Sequence, residues 1–545
     1  MKKYMSKLLA ITLAIIFILT GCQSQAPSAS NTPAVSPAAS QAAAPAASQA
    51  AAPAASQAAT PAAPAPTKRE DLVVVMFEEL ISFDPHSNTM TSDGIVLADL
   101  YTTLYKTDGN GQPVFDFATF IDQDDTGAIV KFKDYGKFED GTPITVDDVV
   151  FSLNRARQST AMASNWTAVT NISAVDATTI RIDTNGPMPS LTQAMSGKSA
   201  AILSKEHTEK IDAGQGDWSQ PFSSGRYKLK ERSIGDYVTY VKNEHHWSTI
   251  DGDGAVMHNS LTYKVVPEAS SRNIMVETGE ADLNMNFMTS DYDRVKDIPT
   301  LELHENMSTA VEYFGFDVTL PPFDNKLVRQ AMQYAIDREA VNLIAMDGFG
   351  NPHFTIIPPS TLGYLEKPID YYYSPEKAKE ILAEAGYPNG FEIEITTIND
   401  LQDRVASVVQ MCLADIGIKA EIKRIETAVR FELAATHQQG PFVARYGMTS
   451  EPDRSLPNVF AKAGIGGPNQ THYWSQEVED LLAQGRGMFE PDPRIPIYQE
   501  IQTKIMDDSP WIPLVVGKVF VLTRSGLQGV TVYGQSAINL YNMHY

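Results

Sequence analysis

The chain has 545 residues and a formal net charge of −23, with 43% hydrophobic and 20% charged residues. These proportions are typical of a globular protein, and the length allows two or three domains with cores of their own. The excess of acidic residues argues against nucleic acid as a partner, because phosphate binding needs a basic surface.

The N-terminus has the parts of a bacterial export signal. Three lysines in the first seven residues precede an apolar run from Leu8 to Leu19, which is short for a membrane span. The run ends in LTGC, which resembles a bacterial lipobox. We therefore predict a signal peptide over residues 1–21 and lipidation of Cys22, with a non-lipidated signal peptide as the alternative.

Residues 22–67 have the composition of a spacer. They consist almost entirely of Ala, Pro, Ser and Gln, and SQAAAPAA recurs with a period of eight from Ser40 and again from Ser48. The segment has no charge and almost no large apolar side chain, so it cannot form a core. We predict a flexible linker with a reach on the order of 40 Å.

The body begins near Lys68 with DLVVVMF, a predicted buried strand. Further on, SSGRYKLKERSIGDYVTYVKN predicts a hairpin. Tyr227 and Leu229 alternate with polar neighbours, and Ile234-Gly235-Asp236 supplies the turn.

The segment KFEDGTPITVDDVVFSLNRA, residues 137–156, holds four carboxylates within ten residues. Asp140-Gly141 predicts a tight turn, and Thr145 with Asp148 three residues later predicts the start of a helix. Catalytic acids would need an opposing partner and a pocket, and the sequence indicates neither. We interpret the acids as the joint between a turn and a helix.

Beyond about residue 320 the pattern becomes α/β. DNKLVRQAMQYAIDREAVNLIAM predicts a long amphipathic helix or a helix pair. SPEKAKEILAEAG predicts a helix that is capped by Ser374 and ends before Gly386. FEIEITTIND, a helix from about Leu401 to Ile416, and KAEIKRIE form a predicted strand-helix-strand unit with a parallel strand pair.

The C-terminal part predicts two more helices and a last strand. The helices are QEVEDLLAQGRG and IYQEIQTKIMDD, and WIPLVVGKVFVLT ends the chain in strand. Cys412 shares a helical face with apolar neighbours, which predicts a small buried thiol rather than a nucleophile.

Enzyme and metal motifs fail when their spacing is tested. SGKS, residues 196–199, has Thr192 where a phosphate-binding loop needs glycine, and DQDDTGAIVKFK has Lys133 where a calcium loop needs glutamate. Neither G-x-S-x-G nor H-E-x-x-H occurs. We predict no catalytic residue, no cofactor and no metal site, and a hydrolase whose triad comes from distant residues stays open as an alternative.

Residues 137–156 are similar to a characteristic segment of the family 5 solute-binding proteins of ABC importers, the oligopeptide-, dipeptide- and nickel-binding group. Other similar segments follow in the family's order, among them YFGFDVTLPPFDNKLVRQAMQYAIDREAV, YSPEKAKEILAEAGYPNGFEIEI, LADIGIKAEIK and PWIPLVV. The resemblance spans about Leu72 to Val530. It implies an α/β, two-lobed hinged periplasmic-binding-protein fold of type II, in the large peptide-binding class with an inserted subdomain.

The resemblance also implies a division of the chain. Lobe I would consist of residues 68–105, 221–305 and 510–545, with an inserted subdomain over 106–220. Lobe II would be 306–509. Closure about a hinge would then couple ligand capture to recognition by the permease.

The family's loop after the first strand lines the cleft, and here it offers Glu78, Glu79 and Phe83. An exposed acidic turn is the alternative for this loop. In peptide-binding relatives, the aspartate of a Gly-Trp-x-x-Asp segment holds the amine of the ligand. This chain keeps the glycine but has Met448 for the tryptophan, and Glu451 is the acid nearest to the aspartate position.

Three further candidates lie close by in the sequence: Arg430, Arg445 and Tyr446. An arginine there would pair with a ligand carboxylate through two hydrogen bonds, and a solvated surface position is the alternative for each. Among ten histidines, His245 and His246 would point to opposite faces of a strand. His437 is the histidine that we place nearest the cleft.

The resemblance predicts a lipid-anchored, monomeric substrate-binding protein of an ABC importer. It would lie outside the cell, on the outer face of the cytoplasmic membrane, capture short peptides by lobe closure and deliver them to the permease without any chemistry. A receptor for a nickel chelate or an oligosaccharide stays open, as does a tethered secreted hydrolase.

Overall fold

The computed structural model describes residues 70–252, 255–534 and 536–545. The predicted signal peptide, the linker and Cys22 lie outside the described residues. Within the described ranges, no helix combines the length and the apolar character that a membrane crossing requires.

The strands of the described residues are β1 (Asp71–Met76), β2 (Tyr105–Thr107), β3 (Pro113–Phe115), β4 (Ala118–Asp124), β5 (Gly127–Phe132), β6 (Val169–Asp176), β7 (Thr179–Thr184), β8 (Tyr227–Ser233), β9 (Tyr237–Lys242), β10 (Ser260–Val265), β11 (Leu283–Asn284), β12 (Leu301–Met307), β13 (Ala310–Gly315), β14 (Gly350–Pro352), β15 (Glu392–Thr397), β16 (Lys419–Arg424), β17 (Phe442–Gly447), β18 (Trp511–Arg524), β19 (Thr531–Tyr533) and β20 (Ser536–Ile538).

The α-helices of the same residues are α1 (Thr91–Leu97), α2 (Val146–Gln158), α3 (Leu191–Ala194), α4 (Lys205–Asp212), α5 (Ser248–Asp251), α6 (Ala269–Thr278), α7 (Tyr292–Val295), α8 (Lys326–Ala335), α9 (Arg338–Ala340), α10 (Pro375–Glu384), α11 (Asp400–Asp415), α12 (Thr427–Ala435), α13 (Pro452–Phe460), α14 (Gln476–Arg486) and α15 (Pro491–Asp508).

Twelve strands form one sheet in the order β16-β15-β17-β13-β18-β11-β1-β10-β9-β8, and β12 and β14 also pair with β18. The first half of β18 pairs with β13, and its second half pairs with β12 and β11. One long strand therefore belongs to two parts of the sheet. A separate antiparallel sheet has the order β4-β5-β7-β6.

The apolar cores follow this division. One cluster surrounds β1 and includes Val74 and Tyr263, which are almost fully buried. A second surrounds α8 and α11 and includes Met332 and Cys412, so the prediction of a buried thiol is confirmed. A third packs α2 against the four-stranded sheet through Leu153. The helices α2, α8 and α11 each bury the apolar face that their sequence period predicts.

Several local predictions are confirmed. β8 and β9 form the predicted antiparallel hairpin, and β15 and β16 form the predicted parallel pair with α11 between them. Ser374 caps α10 through a hydrogen bond from the backbone N–H of Lys377. The apolar segment after residue 325 is a helix pair, because α8 ends at Ala335 and α9 begins at Arg338.

Three local predictions are wrong. His245 and His246 lie in a turn after β9 instead of on a strand. α15 begins at Pro491, earlier than predicted, since proline is favoured in the first helical turn. β18 does not end the chain in strand, because β19 and β20 follow it.

The acidic segment around residue 145 is the predicted joint between a turn and a helix. The hydroxyl of Thr145 accepts a hydrogen bond from the N–H of Asp148 at 3.3 Å. The carboxylate of Asp148 accepts from the N–H of Thr145 at 2.9 Å. This reciprocal pair is a capping box, and it satisfies two backbone donors that the first turn of α2 would leave free. A second oxygen of Asp148 accepts from the N–H of Lys205 at 2.8 Å.

We expect Thr145→Ala to lower the free energy of unfolding by about 1 kcal/mol, because the substitution removes the capping hydroxyl. Thr145→Ser keeps that hydroxyl and is expected to recover most of the loss. Urea unfolding of both variants measures the difference. Equal losses in the two variants would show that the hydroxyl is not responsible.

Candidate functional site

A cavity of about 470 Å³ lies between α1 with the residues that follow it, the C-terminal segment and Arg454 of α13. Its lining residues come from positions 89–107, 116, 197–201, 226, 454 and 537–541. They combine the region after β1 with residues more than 400 positions later, so the cavity is a product of the tertiary fold.

The segment after β1 is held in place by Asp93 of α1. This fully buried carboxylate accepts hydrogen bonds from the N–H of Ile81 at 3.0 Å and from the side-chain amide of Asn88 at 2.7 Å. These contacts fix the chain that leads to Thr89 and Met90, at the edge of the cavity.

The acids that line the cavity are already engaged within the protein. Asp116 forms an ion pair with Arg226 at 2.9 Å, and both side chains are buried. Asp99 accepts a hydrogen bond from the hydroxyl of Tyr263 at 2.5 Å. Burial raises the pKa of Asp99 to about 6, against the opposing effects of the Tyr263 hydroxyl and of Arg226.

Two cations in the lining have only uncharged hydrogen-bond partners among the described residues. The ammonium of Lys198 donates to the carbonyl of Met90 at 2.7 Å and to the side-chain oxygen of Asn88 at 3.1 Å. Across the described residues, no carboxylate forms an ion pair with Lys198 within 4 Å. Burial lowers the pKa of this lysine, although the charge of Asp93 acts in the opposite direction.

Arg454 of α13 is the second of these cations. Its guanidinium donates from Nη1 to the carbonyl of Gln193 at 3.1 Å and from Nη2 to Oδ1 of Asn165 at 2.5 Å. In the described part of the chain it has no carboxylate within 4 Å, and burial lowers its pKa. An anionic group that enters the cavity would therefore be stabilised by both cations.

The contacts of Arg454 also bridge two regions of the protein. Gln193 and Asn165 belong to the region that carries the four-stranded sheet. Just before α13, the hydroxyl of Ser450 donates to the carbonyl of Gly111 in the same region, at 2.8 Å. These bonds bring α13 against one side of the cavity.

The predicted residues Glu78, Glu79 and Phe83 do not line this cavity. Glu79 accepts hydrogen bonds from the N–H of Gly235 at 2.9 Å and from Arg232 at 3.0 Å, and Glu78 is half-buried. Phe83 is buried in the core, with 1% of its surface exposed. Their role in ligand binding stays a prediction.

Arg430, Arg445 and Tyr446 lie together, because all three line a second cavity of about 290 Å³. The surface alternative is wrong for Arg430, which is 2% exposed. Its guanidinium donates to Oε1 of Gln470 at 2.9 Å and to the carbonyl of Val443 at 3.0 Å. The fold thus positions a buried cation without an acidic partner among the described residues, and ligand binding by the three residues stays a prediction.

A buried acid on β13, Glu312, lies next to Arg445, which lines the second cavity. Glu312 is 3% exposed, and its Oε1 lies 3.4 Å from Nε of Arg445. Burial raises the pKa of Glu312 to about 7, although the charge of Arg445 acts in the opposite direction. The carboxyl group therefore gains a proton more easily than an exposed glutamate does.

Met448 and Glu451 lie in the segment that we compared with Gly-Trp-x-x-Asp, and Glu451 lines a further cavity of about 430 Å³. Met448 is 3% exposed and belongs to an apolar core. Glu451 forms a two-pronged ion pair with Arg494, with Nη1 at 2.9 Å from Oε2, and it accepts from the N–H of Asp453 at 3.1 Å as the cap of α13. The charge of Glu451 is therefore balanced by Arg494, and its contact with a ligand stays a prediction.

The sequence analysis did not identify Lys198 and Arg454, the two cations of the 470 Å³ cavity that have only uncharged hydrogen-bond partners in the described part of the chain. Lys198 belongs to SGKS, which we tested as part of a phosphate-binding loop, and Arg454 lies three residues after Glu451. A basic residue close to a family binding segment was the one available signal for Arg454. No local pattern distinguishes Lys198 from a surface lysine.

The comparisons with known proteins agree with one another. A family model described as bacterial extracellular solute-binding proteins, family 5 Middle, matches residues 113–467. The glutathione-binding protein GsiB of Escherichia coli (strain K12) is 28% identical over 475 residues, which cover 84% of this chain and 91% of GsiB.

Solved structures show the fold. HbpA2 from Haemophilus parasuis is similar with a TM-score of 0.77 and 24% identity, covering 87% of this chain and 99% of HbpA2. The periplasmic binding protein DppA from Helicobacter pylori, in complex with the peptide STSA, gives a TM-score of 0.75 and 22% identity, with 88% and 98% covered. The predicted α/β, two-lobed fold of the peptide-binding class is confirmed.

The raised pKa of Glu312 predicts a pH dependence of stability. The folded chain keeps a proton on this carboxyl up to about pH 7, whereas an unfolded glutamate loses it near 4.5. The contribution to stability is therefore present at low pH and is lost as the pH rises through about 7. Relative to Glu312→Gln, the wild-type chain is expected to lose up to about 3 kcal/mol of unfolding free energy between about pH 5 and pH 8.

Urea unfolding of wild type and Glu312→Gln at several pH values checks this prediction. Because the substitution also removes the ion pair with Arg445, the informative quantity is the change with pH and not the offset at one pH. Parallel pH profiles for the two proteins would contradict the prediction.

Proposed function

Because the chain belongs to the family 5 bacterial extracellular solute-binding proteins, we propose that it captures a short, carboxylate-bearing peptide or peptide-like solute for an ABC importer. Members of this family bind solutes and work with ABC permeases outside the cytoplasm. The chain is a binding protein and not an enzyme. The ligand class, the lipid anchor and the monomeric state are parts of the proposal.

The lobes follow the two parts of the large sheet in this proposal. Lobe I consists of residues 68–105, 221–305 and 510–545, the inserted subdomain of 106–220, and lobe II of 306–509. β18 runs from one part of the sheet to the other, which supports a connection at this strand. The bonds from Arg454 to Asn165 and Gln193 and from Ser450 to Gly111 would then be contacts that form on closure.

The charge distribution in the 470 Å³ cavity is the main support for the proposed ligand class. Its acids are engaged by Arg226 and Tyr263, whereas Lys198 and Arg454 have only uncharged hydrogen-bond partners among the described residues. A ligand carboxylate would give these cations charge-assisted hydrogen bonds, which are the strong ones. The named ligand of the relative GsiB, glutathione, is a small peptide with two carboxylates, and this fits the same reasoning.

Calorimetric titration with glutathione and with a pool of tripeptides tests the ligand class. We expect binding with a rise in melting temperature, since a ligand that binds the folded chain stabilises it. Lys198→Met is expected to weaken binding about 10- to 100-fold, because it removes a charged hydrogen-bond donor. Arg454→Gln is expected to act in the same direction.

Lys205→Met is the matched control, because Lys205 is an exposed lysine outside the cavity lining. It should bind as the wild type does. Mass spectrometry of the recovered ligand should show intact peptides. Unchanged affinity in both cavity variants would refute the assignment of the site, and cleaved products would favour a hydrolase.

The proposed anchor is a lipid on Cys22, on the outer face of the cytoplasmic membrane, followed by the linker of residues 22–67. The apolar run with its LTGC end supports it. A linker with a reach on the order of 40 Å would hold the two lobes clear of the bilayer.

Cys22→Ser is expected to release the exported protein from the membrane fraction and to remove palmitate from it, as measured by detergent partitioning and mass spectrometry. Cys412→Ala, at a buried thiol, is the control and should stay with the membrane. Membrane retention of Cys22→Ser would contradict the anchor.

A further inference from the structure

Three side chains of the types that bind metal ions lie close together, outside the cavities of about 470 Å³ and 290 Å³ described above. They are Asp317, His437 and His472, and one possible ligand atom from each lies within 4.8 Å of the others. Oδ2 of Asp317 is 2.9 Å from Nδ1 of His472 and 3.8 Å from Nδ1 of His437. The two imidazole rings stack with centroids 3.8 Å apart.

The fold brings these residues together from three distant segments. Asp317 lies two residues after β13, His437 lies two residues after α12, and His472 precedes α14. Both histidines have a φ of 53°, in the left-handed region that residues with a side chain rarely adopt. The chain thus accepts an unfavourable backbone conformation at both positions that present an imidazole.

The two oxygens of Asp317 have different surroundings. Oδ1 accepts hydrogen bonds from the N–H of Thr319 at 2.9 Å and from its hydroxyl at 2.6 Å, which fixes the carboxylate. Oδ2 faces the two histidines, and although Nδ1 of His472 lies 2.9 Å away, the contact lacks hydrogen-bond geometry. Within the described residues, no lysine or arginine lies within 4 Å of this fully buried side chain. A buried carboxylate needs a positive partner, and a metal ion held by the carboxylate and the imidazoles would supply one in place of a protonated histidine.

We propose that Asp317, His437 and His472 bind a divalent transition-metal ion of the zinc class. Two ligand atoms at zinc's usual bond lengths lie about 3.4 Å apart in a tetrahedral site, and the two measured separations from Oδ2 lie on either side of this value. Two imidazoles with one carboxylate suit zinc better than calcium or magnesium, which prefer oxygen ligands.

The site has the character of an open metal site. The side chain of His437 is 53% exposed, whereas those of Asp317 and His472 are almost fully buried. Three protein ligands with one solvent-facing side leave a fourth position for water. None of the three residues lines the cavity that holds Lys198 and Arg454, so the ion would be bound by the protein outside the proposed peptide site.

Zinc titration of the purified, tag-free chain after chelator treatment tests the proposal. We expect one zinc ion per chain, with a Kd in the micromolar range or below, and a rise in melting temperature. His437→Asn removes an exposed imidazole and keeps a residue that tolerates left-handed backbone. It is expected to weaken zinc binding at least about tenfold, a loss of the size that altered metal-site partners produce.

His245→Asn is the matched control, since His245 is also exposed and lies in a turn. It should bind zinc as the wild type does. Equal zinc binding by His437→Asn and wild type, or equal losses in both variants, would overturn the proposal. Absence of binding by the wild-type chain would also overturn it.

Cobalt provides a second readout, because Co²⁺ in a tetrahedral site gives strong visible absorption bands. These bands are expected in the wild type and in Lys198→Met, and they should be lost in Asp317→Asn and in His437→Asn. Peptide binding is expected to be unchanged in His437→Asn. Failure of the metal site and failure of the proposed ligand site are therefore distinguishable.

Discussion

The structure depends on one strand that is buried along almost its whole length. β18 supplies the backbone hydrogen bonds of β13 and β14 in its first half and those of β11 and β12 in its second half. Buried N–H and C=O groups must be paired, so removing this strand would leave several others unsatisfied. Trp511 at its start stacks on Tyr313 of β13 with ring centroids 3.7 Å apart. The two parts of the sheet are therefore covalently continuous through β18.

The charges around the cavity follow from burial. Arg226 and Asp116 offset one another at 2.9 Å, which makes two buried charges tolerable where one alone would be costly. Lys198 and Arg454 are stabilised by carbonyl and amide oxygens, which are weaker partners than carboxylates. The low dielectric of a closing cavity would strengthen any bond between these cations and an anionic ligand. The same arrangement offers little to a ligand amine, since the acids in the lining are already engaged.

The parts of this structure that sequence predicts are those decided by neighbouring residues. The capping box of Thr145 and Asp148 spans four positions, and the unit of β15, α11 and β16 follows from hydrophobic period and short loops. The site depends on residues that are far apart in sequence, such as Arg454 and Gln193, which are 261 positions apart. The sequence around Arg430 does not distinguish this buried arginine from a surface one. Its partners Gln470 and Val443 come close to it only in the folded chain.

The departures of this chain from its family's peptide-binding segment are consistent with the charges in the cavity. Glu451, the acid nearest the position that holds a ligand amine in peptide-binding relatives, is neutralised by Arg494. Arg454 lies one turn along α13, lines the cavity and also bonds Asn165 and Gln193 of the region that carries the four-stranded sheet. In the proposed function, a ligand carboxylate bound by Arg454 would therefore interact with a residue that itself joins α13 to the region of the four-stranded sheet. Since a ligand shifts a conformational equilibrium only through its differential affinity, such a contact would favour the closed form over the open one.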